Sequence, residues 1–259
     1  PEPVIAPAPV IGQEVAVTVI VPAFNAERFL ENAVQKVLHG IFQDLEVLIV
    51  DWASADGTRR VAQRLMGRDR RVRLVAAEGA SRAAALNQAA RRARGRYLAF
   101  LEADDEFSPD GLDRMITWMR RRANCALAVS RFEFIDETGA RLAEREPAAQ
   151  PEITPNSLLR LSAAGPARVV ARAAFEAAGL FNETLCAEGA EDYDLALRLS
   201  ERFEIGIMDA PLYRCRLWSE RARREAPPAV LETVRNHARE EAMERRRAMN
   251  RPAAFRRLP

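Results

Sequence analysis

Residues 15–25 read VAVTVIVPAFN, a run of mostly β-branched side chains that ends in Pro22 and Asn25. A short, continuous run of this kind is typical of a strand that is buried on both faces of a parallel sheet. In residues 26–38, which follow, apolar side chains recur three and four positions apart, as they do along one face of a helix. This strand–turn–helix unit predicts an α/β fold.

The alternation of strand and helix patterns continues along the chain. The predicted strands cover residues 45–50, 72–76 and 96–101, and the predicted helices cover residues 58–66 and 81–94. We expect Gly95 to close the second of these helices, and Ser108 and Pro109 to begin the next one as N-cap and first helical residue. Strands that alternate with helices predict a doubly wound, mostly parallel sheet.

The second half of the chain is less regular. The predicted strands there cover residues 126–135, 167–171 and 204–208, and the predicted helices cover residues 156–161, 173–178, 191–202 and 228–249. Residues 136–155 are polar and predict a hairpin or an excursion from the sheet, and residues 181–189 predict a loop. Residues 1–13 are rich in proline and alanine and predict an extended linker or tail.

Composition excludes several classes of protein. The 259 residues are 48% hydrophobic and 29% charged, which is typical of a globular chain. The two histidines, His39 and His237, leave little room for a His-rich metal site or a His-based catalytic triad. Three dispersed cysteines favour a reducing cytosol. No apolar run reaches the ~18 residues that a membrane-spanning helix needs.

Polar side chains collect where the predicted strands end. Asn25 and Asp51 follow two strands, and a cluster of three acids, Glu102, Asp104 and Asp105, follows another. Ligands of doubly wound sheets bind beyond these carboxyl ends. Asp51 alone fits a turn or a helix cap equally well, but three neighbouring acids repel one another, which favours a bound cation. No P-loop and no G-x-G-x-x-G follows the first strand, so a metal held by carboxylates is the available means of binding a phosphate.

Four segments together resemble the family 2 glycosyltransferases, which have the GT-A fold. They read VTVIVPAFNAERFLENAVQKVL, DLEVLIVDWASADGT, GRYLAFLEADDEFSPDGL and GLFNETLCAEGAEDYDLALRL, and with their spacing they span about residues 14–218. The resemblance implies a Rossmann-like, mixed and mostly parallel sheet flanked by helices. It also implies an enzyme, a hexosyltransferase that moves a sugar from a nucleotide-sugar donor, UDP-linked by expectation, to a glycan or lipid-linked acceptor in bacterial surface polysaccharide synthesis.

The resemblance also implies roles for individual residues. Those expected at the nucleotide-sugar are Pro22, Ala23, Asn25, Asp51, Trp52, Arg82, Glu102 and Asp105. Glu102 and Asp104 stand at the ends of the D-x-D motif and would hold Mg²⁺ or Mn²⁺ on the diphosphate. Asp192 would be the general base of an inverting reaction, with Glu191 as its neighbour on the acceptor side. By itself, Asp192 also fits a second interpretation, a carboxylate in the first turn of a helix that the helix dipole stabilises.

The sequence departs from the family pattern at four positions. Trp52 replaces a second Asp, and it would stack on the base or pack in the core. Glu102 replaces an Asp. Leu86 replaces an Arg that would approach the diphosphate, and Arg82, one turn earlier, is either its substitute or a surface residue. Arg216 replaces a His and would bind phosphate or solvate the surface. These departures favour, as the alternative function, a catalytically weak or inert nucleotide- or glycan-binding module.

The charge distribution suggests a division of the chain. Residues 219–259 carry about +5 and the remainder about −3, so residues 14–218 would form the catalytic domain and residues 219–259 a basic helical extension. That extension would either touch an anionic membrane surface or pack on the domain as a solvated helix, since glutamates are interleaved with its arginines. We expect a cytoplasmic location, on the inner face of the plasma membrane in the first case, and no nucleic-acid partner because no aromatic platform accompanies the arginines.

Overall fold

Strand β1, Val15–Ala23, lies inside the sheet and pairs in parallel with β2, Leu45–Asp51, on one side and with β4, Gly95–Phe100, on the other. A computed structural model describes residues 15–77, 81–143, 168–185, 190–218 and 228–248. Every residue of β1 after Val15 is buried, as the unbroken apolar run predicts for a strand that is covered on both faces. The predicted tail 1–13 and the predicted helix 156–161 lie outside the described residues.

The described elements follow the predicted alternation closely. The remaining strands are β3 (Val72–Ala76), β5 (Glu106–Phe107), β6 (Cys125–Ile135), β7 (Arg168–Ala171) and β8 (Glu204–Arg216). The helices are α1 (Leu30–Leu38), α2 (Thr58–Arg68), α3 (Arg82–Arg92), α4 (Gly111–Arg120), α5 (Arg172–Ala177), α6 (Ala190–Ser200) and α7 (Pro228–Ala248). Strand β5 and the second half of β8 are additions to the predicted elements.

The eight strands form one sheet in the order β3-β2-β1-β4-β7-β6-β8-β5. The first four strands along the chain are parallel to one another. β7 runs antiparallel to both β4 and β6, β6 and β8 are parallel, and β5 is antiparallel to β8. The prediction of a mixed, mostly parallel sheet is therefore confirmed. The carboxyl ends of the parallel strands β1, β2 and β4 lie side by side, and we call this end of the strands the carboxyl edge of the sheet.

Helices cover both faces of the sheet and bury two apolar clusters. Side chains of α1, α2 and α4 pack on one face, and side chains of α3, α5, α6 and α7 pack on the other. Leu195, Leu197 and Leu199 of α6 are almost completely buried in the second cluster. Helix α7 contributes Ala238 and Ala242, both fully buried, so it packs on the domain as the second interpretation of the extension requires.

Three predicted helix ends are wrong. The first helix, predicted from residue 26, begins at Leu30, because residues 27–29 form a turn. Helix α3 ends at Ala93 in extended geometry, and Gly95 begins β4 instead. Glycine is required there by close approach, because a Cβ on Gly95 would lie 2.2 Å from the backbone nitrogen of Thr18. Helix α4 is preceded by Asp110 rather than by Ser108, whose hydroxyl donates to Asp110 Oδ1 (3.1 Å). Pro109 consequently lies before the helix.

Candidate active site

The loops that follow β1 and β2 are tied together by polar contacts at the carboxyl edge. Asn25 adopts a left-handed backbone conformation with φ of 49°, which asparagine tolerates better than most residues. Its Oδ1 accepts a hydrogen bond from the backbone N–H of Ala55 (2.8 Å), and its own N–H donates to Ser54 Oγ (3.1 Å). The backbone N–H of Ser54 in turn donates to Asp51 Oδ1 (3.1 Å). Asn25 and Asp51 therefore shape one continuous wall.

Two aromatic rings stand beside this wall. The rings of Phe24 and Trp52 lie 4.9 Å apart between centroids, and Phe24 is 36% exposed. Asp51 is almost completely buried, and Arg59 Nε lies 3.5 Å from its Oδ2. Pro22 and Ala23, which lie in register with the end of β2, are buried within the sheet beneath the rings. The two rings, whose planes are inclined by 39°, offer an apolar surface next to a carboxylate.

Arg82 connects the acids after β4 with the acids of helix α6. Arg82 is the first residue of α3, which Ser81 caps by accepting a hydrogen bond from the backbone N–H of Ala84. Its Nη2 donates to Glu102 Oε1 (2.5 Å), and its Nε donates to Glu191 Oε1 (2.9 Å). The Arg82 side chain is only 10% exposed, so the surface interpretation of this residue is wrong.

Leu86, one turn further along α3, lies on the core side of the helix. It is 1% exposed and belongs to the apolar cluster beneath α3 and α6. The side chain that occupies the expected arginine position is thus part of the packing of the domain. The guanidinium between the two groups of acids comes from Arg82 instead.

The loop that carries Asp104 and Asp105 is fastened to the end of β8. Trp218 Nε1 donates to Asp104 Oδ2 (2.7 Å). Asp105 is fully buried; its Oδ2 accepts a hydrogen bond from the Tyr213 hydroxyl (2.9 Å) and its Oδ1 one from the backbone N–H of Arg216 (2.8 Å). Asp105 therefore anchors the loop from inside the domain. Asp104 differs from it because it is only half-buried.

Arg216 holds the same loop from within. The residue is 2% exposed, so the interpretation that it solvates the surface is wrong. Its Nε donates to the backbone oxygen of Asp104 (2.8 Å), and its Nη2 donates to Glu106 Oε1 (2.5 Å). Its Nη1 donates to the backbone oxygens of Asp136 (2.8 Å) and Glu137 (3.1 Å). With these donors committed, the guanidinium supports the acidic loop rather than presenting a fork to a phosphate.

Asp192 lies in the first turn of α6 beside an arginine from β7. Its Oδ2 is 2.6 Å from Arg168 Nη1, and the two side chains are 7% and 12% exposed. Its Oδ1 has no hydrogen-bond partner among the described residues. Burial, together with the neighbouring Glu191 and Glu102, raises the pKa of Asp192 to about 7, although Arg168 and Arg82 act in the opposite direction. A buried carboxylate with this pKa and such an acceptor atom is suited to take a proton near neutral pH.

The acids fit a metal site that is completed by substrate. Within the described residues, no group of three or more His, Cys, Asp or Glu side chains is arranged to hold a metal ion. Mg²⁺ is commonly bound through one or two carboxylates together with substrate phosphates and water. Glu102 and Asp104, which follow β4, are both carboxylates that are only partly buried, and carboxylates are the residue type that such a site uses.

Three residues of this site escaped the sequence analysis. Arg168, Tyr213 and Glu106 act through partners that are far away in sequence, such as Asp192 for Arg168 and Asp105 for Tyr213. Two of them carried a signal: Glu106 lies in one of the segments that resemble the family, and Tyr213 lies three residues before Arg216, where the family pattern has a His. No described helix combines the length and the apolar character needed to cross a bilayer.

Comparison with known sequences identifies the family. The model of the family described as glycosyl transferase family 2 matches residues 18–175, more than half of the chain. The chain is 38% identical over 127 residues to the provisionally named teichuronic acid biosynthesis glycosyltransferase TuaG of Bacillus subtilis (strain 168), which covers 49% of this chain and 50% of that protein. It is 29% identical over 185 residues to the chondroitin synthase of Pasteurella multocida (strain Pm70), which covers 71% of this chain and 19% of that protein. The chain thus spans half or less of the length of these relatives.

Comparison with solved structures shows the fold. The structure of S. aureus TarS 1-349 in complex with UDP-GlcNAc superimposes with a TM-score of 0.67 at 16% identity, over 90% of this chain and 73% of that one. The mannosyltransferase PcManGT from Pyrobaculum calidifontis, in complex with GDP-Man and Mn²⁺, gives a TM-score of 0.59 at 20% identity, over 96% and 79%. The GT-A fold expected from the sequence is confirmed. Because the family model matches more than half of the chain, the chain belongs to glycosyl transferase family 2.

Proposed function

We propose that this chain transfers a sugar from a nucleotide-sugar to the hydroxyl group of an acceptor, with inversion at the anomeric carbon. The observation that carries the proposal is Asp192 Oδ1, a buried carboxylate oxygen that has no hydrogen-bond partner among the described residues. Asp192 is adjacent to Glu191, which Arg82 connects to Glu102. Asp192 therefore lies beside the ion pairs through which Arg82 joins Glu191 to Glu102, and the charges of these three residues act on it.

The donor binds at the carboxyl edge in this proposal. The Phe24 and Trp52 rings provide a surface on which a base can stack, and the Asp51 carboxylate can accept a hydrogen bond from a base N–H. A uracil ring offers such a donor at N3, which favours a UDP-sugar. The TarS complex contains UDP-GlcNAc, whereas the mannosyltransferase complex contains GDP-Man, so guanine is the competing base.

The diphosphate lies between Arg82 and the acidic loop. Asp104 and Glu102 are the residues that would hold Mg²⁺ or Mn²⁺, whose charge compensates the leaving nucleoside diphosphate. Arg82, with its guanidinium already placed between Glu102 and Glu191, supplies a positive charge in place of the arginine that Leu86 replaces. Asp105 is left out of the donor contacts, because its carboxylate is bound to β8.

Asp192 then acts on the acceptor. Its Oδ1 takes the proton of the acceptor hydroxyl while that oxygen attacks the anomeric carbon from the side opposite the diphosphate. The bond from the anomeric carbon to the diphosphate oxygen breaks as the new glycosidic bond forms, so an α-linked donor gives a β-linked product. Arg168 keeps part of the negative charge on Asp192 compensated throughout.

The acceptor class follows from the relatives. TuaG is named for teichuronic acid biosynthesis and the Pasteurella protein for chondroitin synthesis, and both names refer to polysaccharides. We therefore propose a glycan or lipid-linked saccharide as acceptor, in bacterial surface polysaccharide synthesis in the cytoplasm. Contact of residues 219–259 with the membrane stays a prediction, and Arg239, Arg245 and Arg246 of this segment bind protein groups instead.

The competing function is a module that binds nucleotide or glycan without turnover, which the buried Leu86 favours. Incubation with UDP-glucose, UDP-galactose, UDP-GlcNAc, UDP-glucuronate and GDP-mannose, with and without Mn²⁺, separates the two. Metal-dependent release of nucleoside diphosphate supports the transferase. Calorimetric binding of UDP with Mn²⁺ but no release from any donor supports the module, and the absence of both binding and release overturns the transferase and the nucleotide-binding form of the module.

A further inference from the structure

We infer that helix α7 positions helix α6, and that Arg239 of α7, through Tyr193, holds the first turn that carries Asp192. Arg239 Nε donates to the Tyr193 hydroxyl (3.0 Å), and its guanidinium carbon lies 5.7 Å from the centre of the tyrosine ring. Tyr193 is 1% exposed and follows Asp192 directly in sequence. This inference rests on the proposed function, since it gives Arg239 and Tyr193 the part of positioning residues for the proposed base.

The contact between the two helices is made by residues 238–246 of α7. Ala238 and Ala242, one turn apart on α7, are both fully buried in the cluster that contains Tyr193 and Leu197 of α6. Side chains as small as alanine allow two helices to approach closely, with tightly packed groups between them. The contact therefore leaves α6 little freedom to shift relative to α7.

Polar contacts fix both ends of α6. At its C-terminal end, Arg246 Nη2 donates to Ser200 Oγ (3.0 Å), and Arg245 Nε donates to the carboxylate of Glu201 (3.0 and 3.3 Å). At its N-terminal end, the contact comes from Arg239, which is itself held by Glu232 Oε1 (3.0 Å) and Asn236 Oδ1 (2.6 Å) of α7. Arg239 is thus fixed on its own helix before it reaches Tyr193.

The placement of this contact matters for the reaction. A general base contributes only when its oxygen lies within hydrogen-bond reach of the proton it removes, and a displacement of about 1 Å can cost about 100-fold in rate. Helix α6 and helix α7 both lie outside residues 18–175, the part of the chain that the family model matches. The contact between Arg239 and Tyr193 therefore lies outside the region that the family model matches, and it bears on the position of the proposed base.

The test uses the full chain with Arg239→Met, which keeps an apolar side chain of similar length, and Tyr193→Phe, which removes only the hydroxyl. Arg247→Met, an exposed position of the same helix, is the matched control. Three quantities are measured: amide hydrogen exchange of residues 190–200, turnover of the nucleotide-sugar that the donor panel identifies, and the Kd of UDP with Mn²⁺.

We expect Arg239→Met and Tyr193→Phe to accelerate exchange in the first turn of α6 and to lower kcat about tenfold, the effect of losing one charge-assisted hydrogen bond. The Kd of UDP stays the same, and the double variant is no worse than either single one, because both remove the same contact. Arg247→Met behaves as wild type. Arg239→Lys, which restores a positive charge, recovers part of kcat.

Unchanged exchange in α6 overturns the inference, whatever the turnover. Faster exchange with an unchanged kcat also overturns it, as does a double variant whose loss is the product of the single losses. Asp192→Asn is run in parallel to separate the two proposals. If that variant keeps its turnover, the assignment of Asp192 as the base fails, and the exchange data still decide whether α7 positions α6.

Discussion

Arg168 Nη1 lies 2.6 Å from Asp192 Oδ2, and both side chains are almost completely buried. The pair joins β7 to the first turn of α6, across a distance of 24 positions in sequence. One carboxylate oxygen of Asp192 is used by the arginine, and the other has no hydrogen-bond partner among the described residues. Arg168 therefore compensates the charge of the proposed base without occupying the atom that would receive the proton.

The first prediction concerns pH. Burial is the main reason why the pKa of Asp192 rises to about 7, and a general base works only when it is deprotonated. Turnover should therefore be low at pH 5.5, rise through pH 7 and level off above it. Arg168→Gln removes a charge that favours the carboxylate, so the rise should move to higher pH, by about one unit for each ~1.4 kcal/mol of lost interaction.

Arg172→Gln, a half-buried arginine of α5, is the control for the pH profile and should leave it in place. The profiles are recorded from initial rates of nucleoside diphosphate release. A flat profile between pH 5.5 and 8, or a shift to lower pH in Arg168→Gln, contradicts the assignment of Asp192.

The second prediction concerns the metal. Asp104→Ala should abolish the difference between UDP binding with and without Mn²⁺, because it removes one of the two proposed carboxylate ligands. Trp218→Phe removes the hydrogen bond to Asp104 Oδ2 but keeps the carboxylate, so metal-dependent binding should persist. Titration calorimetry measures both. Metal-dependent binding that survives in Asp104→Ala would show that other groups hold the cation.

The third prediction concerns the position at which the family pattern has an arginine. Leu86 is 1% exposed in the core, so Leu86→Arg should lower the free energy of unfolding by more than about 4 kcal/mol, since it buries an unpaired charge. Leu86→Met keeps the volume and should cost less than about 1.5 kcal/mol. Urea unfolding measures both. A stable Leu86→Arg variant with increased turnover would show that the expected arginine can be accommodated after all.

The fourth prediction concerns Glu46, a buried acid in strand β2. Glu46 is fully buried and accepts hydrogen bonds from the Thr18 hydroxyl (2.8 Å), the backbone N–H of Arg94 (2.7 Å) and Arg73 Nη1 (2.9 Å). Glu46→Gln removes the charge and should lower the free energy of unfolding by about 3 kcal/mol. Glu31→Gln, at a partly exposed acid that also has two arginine partners, should cost no more than about 1 kcal/mol.

The pH dependence of stability gives a second test of Glu46. Burial acts to raise the pKa of Glu46, but the contacts with Arg94, Thr18 and Arg73 outweigh it, so the pKa lies below its ordinary value of 4.5. The folded state therefore binds this proton less tightly than the unfolded state. The stabilisation is complete above pH 4.5 and is lost as the pH falls through the lowered pKa. Equal acid sensitivity of wild type and Glu46→Gln would contradict this.

Local sequence patterns predicted the first half of the fold well. Up to residue 101, the hydrophobic pattern that distinguishes a buried strand from an amphipathic helix can be read within a few residues. Both ends of β3 were therefore predicted correctly, and the ends of β1, β2 and β4 were predicted to within two residues. Gly95 was misinterpreted because a helix end and a close approach between strands both call for glycine. The approach to Thr18, which decides between them, spans 77 positions.

The candidate site was only partly predictable. The acids after the strands stand out because charge is unusual next to buried runs, so the sequence analysis found Asp51, Glu102 and Asp104. The support of those acids comes from β8 and β7, through Tyr213, Arg216 and Arg168. In the sequence, a buried arginine cannot be distinguished from a surface arginine, because both have similar neighbouring residues. Burial by distant elements, which distinguishes them, appears only in the folded chain.

The turnover of Asp192→Asn tests the proposed mechanism most directly. Asp194→Asn, two residues further along α6, is the matched control, because it also alters a buried aspartate that is paired with an arginine, here Arg198 at 2.6 Å. Both variants should lose similar stability, and both should bind UDP with Mn²⁺ as wild type does. We predict that Asp192→Asn releases nucleoside diphosphate at least about 100-fold more slowly, as expected for the loss of a general base, while Asp194→Asn keeps its kcat. Turnover in Asp192→Asn within a few fold of wild type would contradict the assignment of Asp192 as the base.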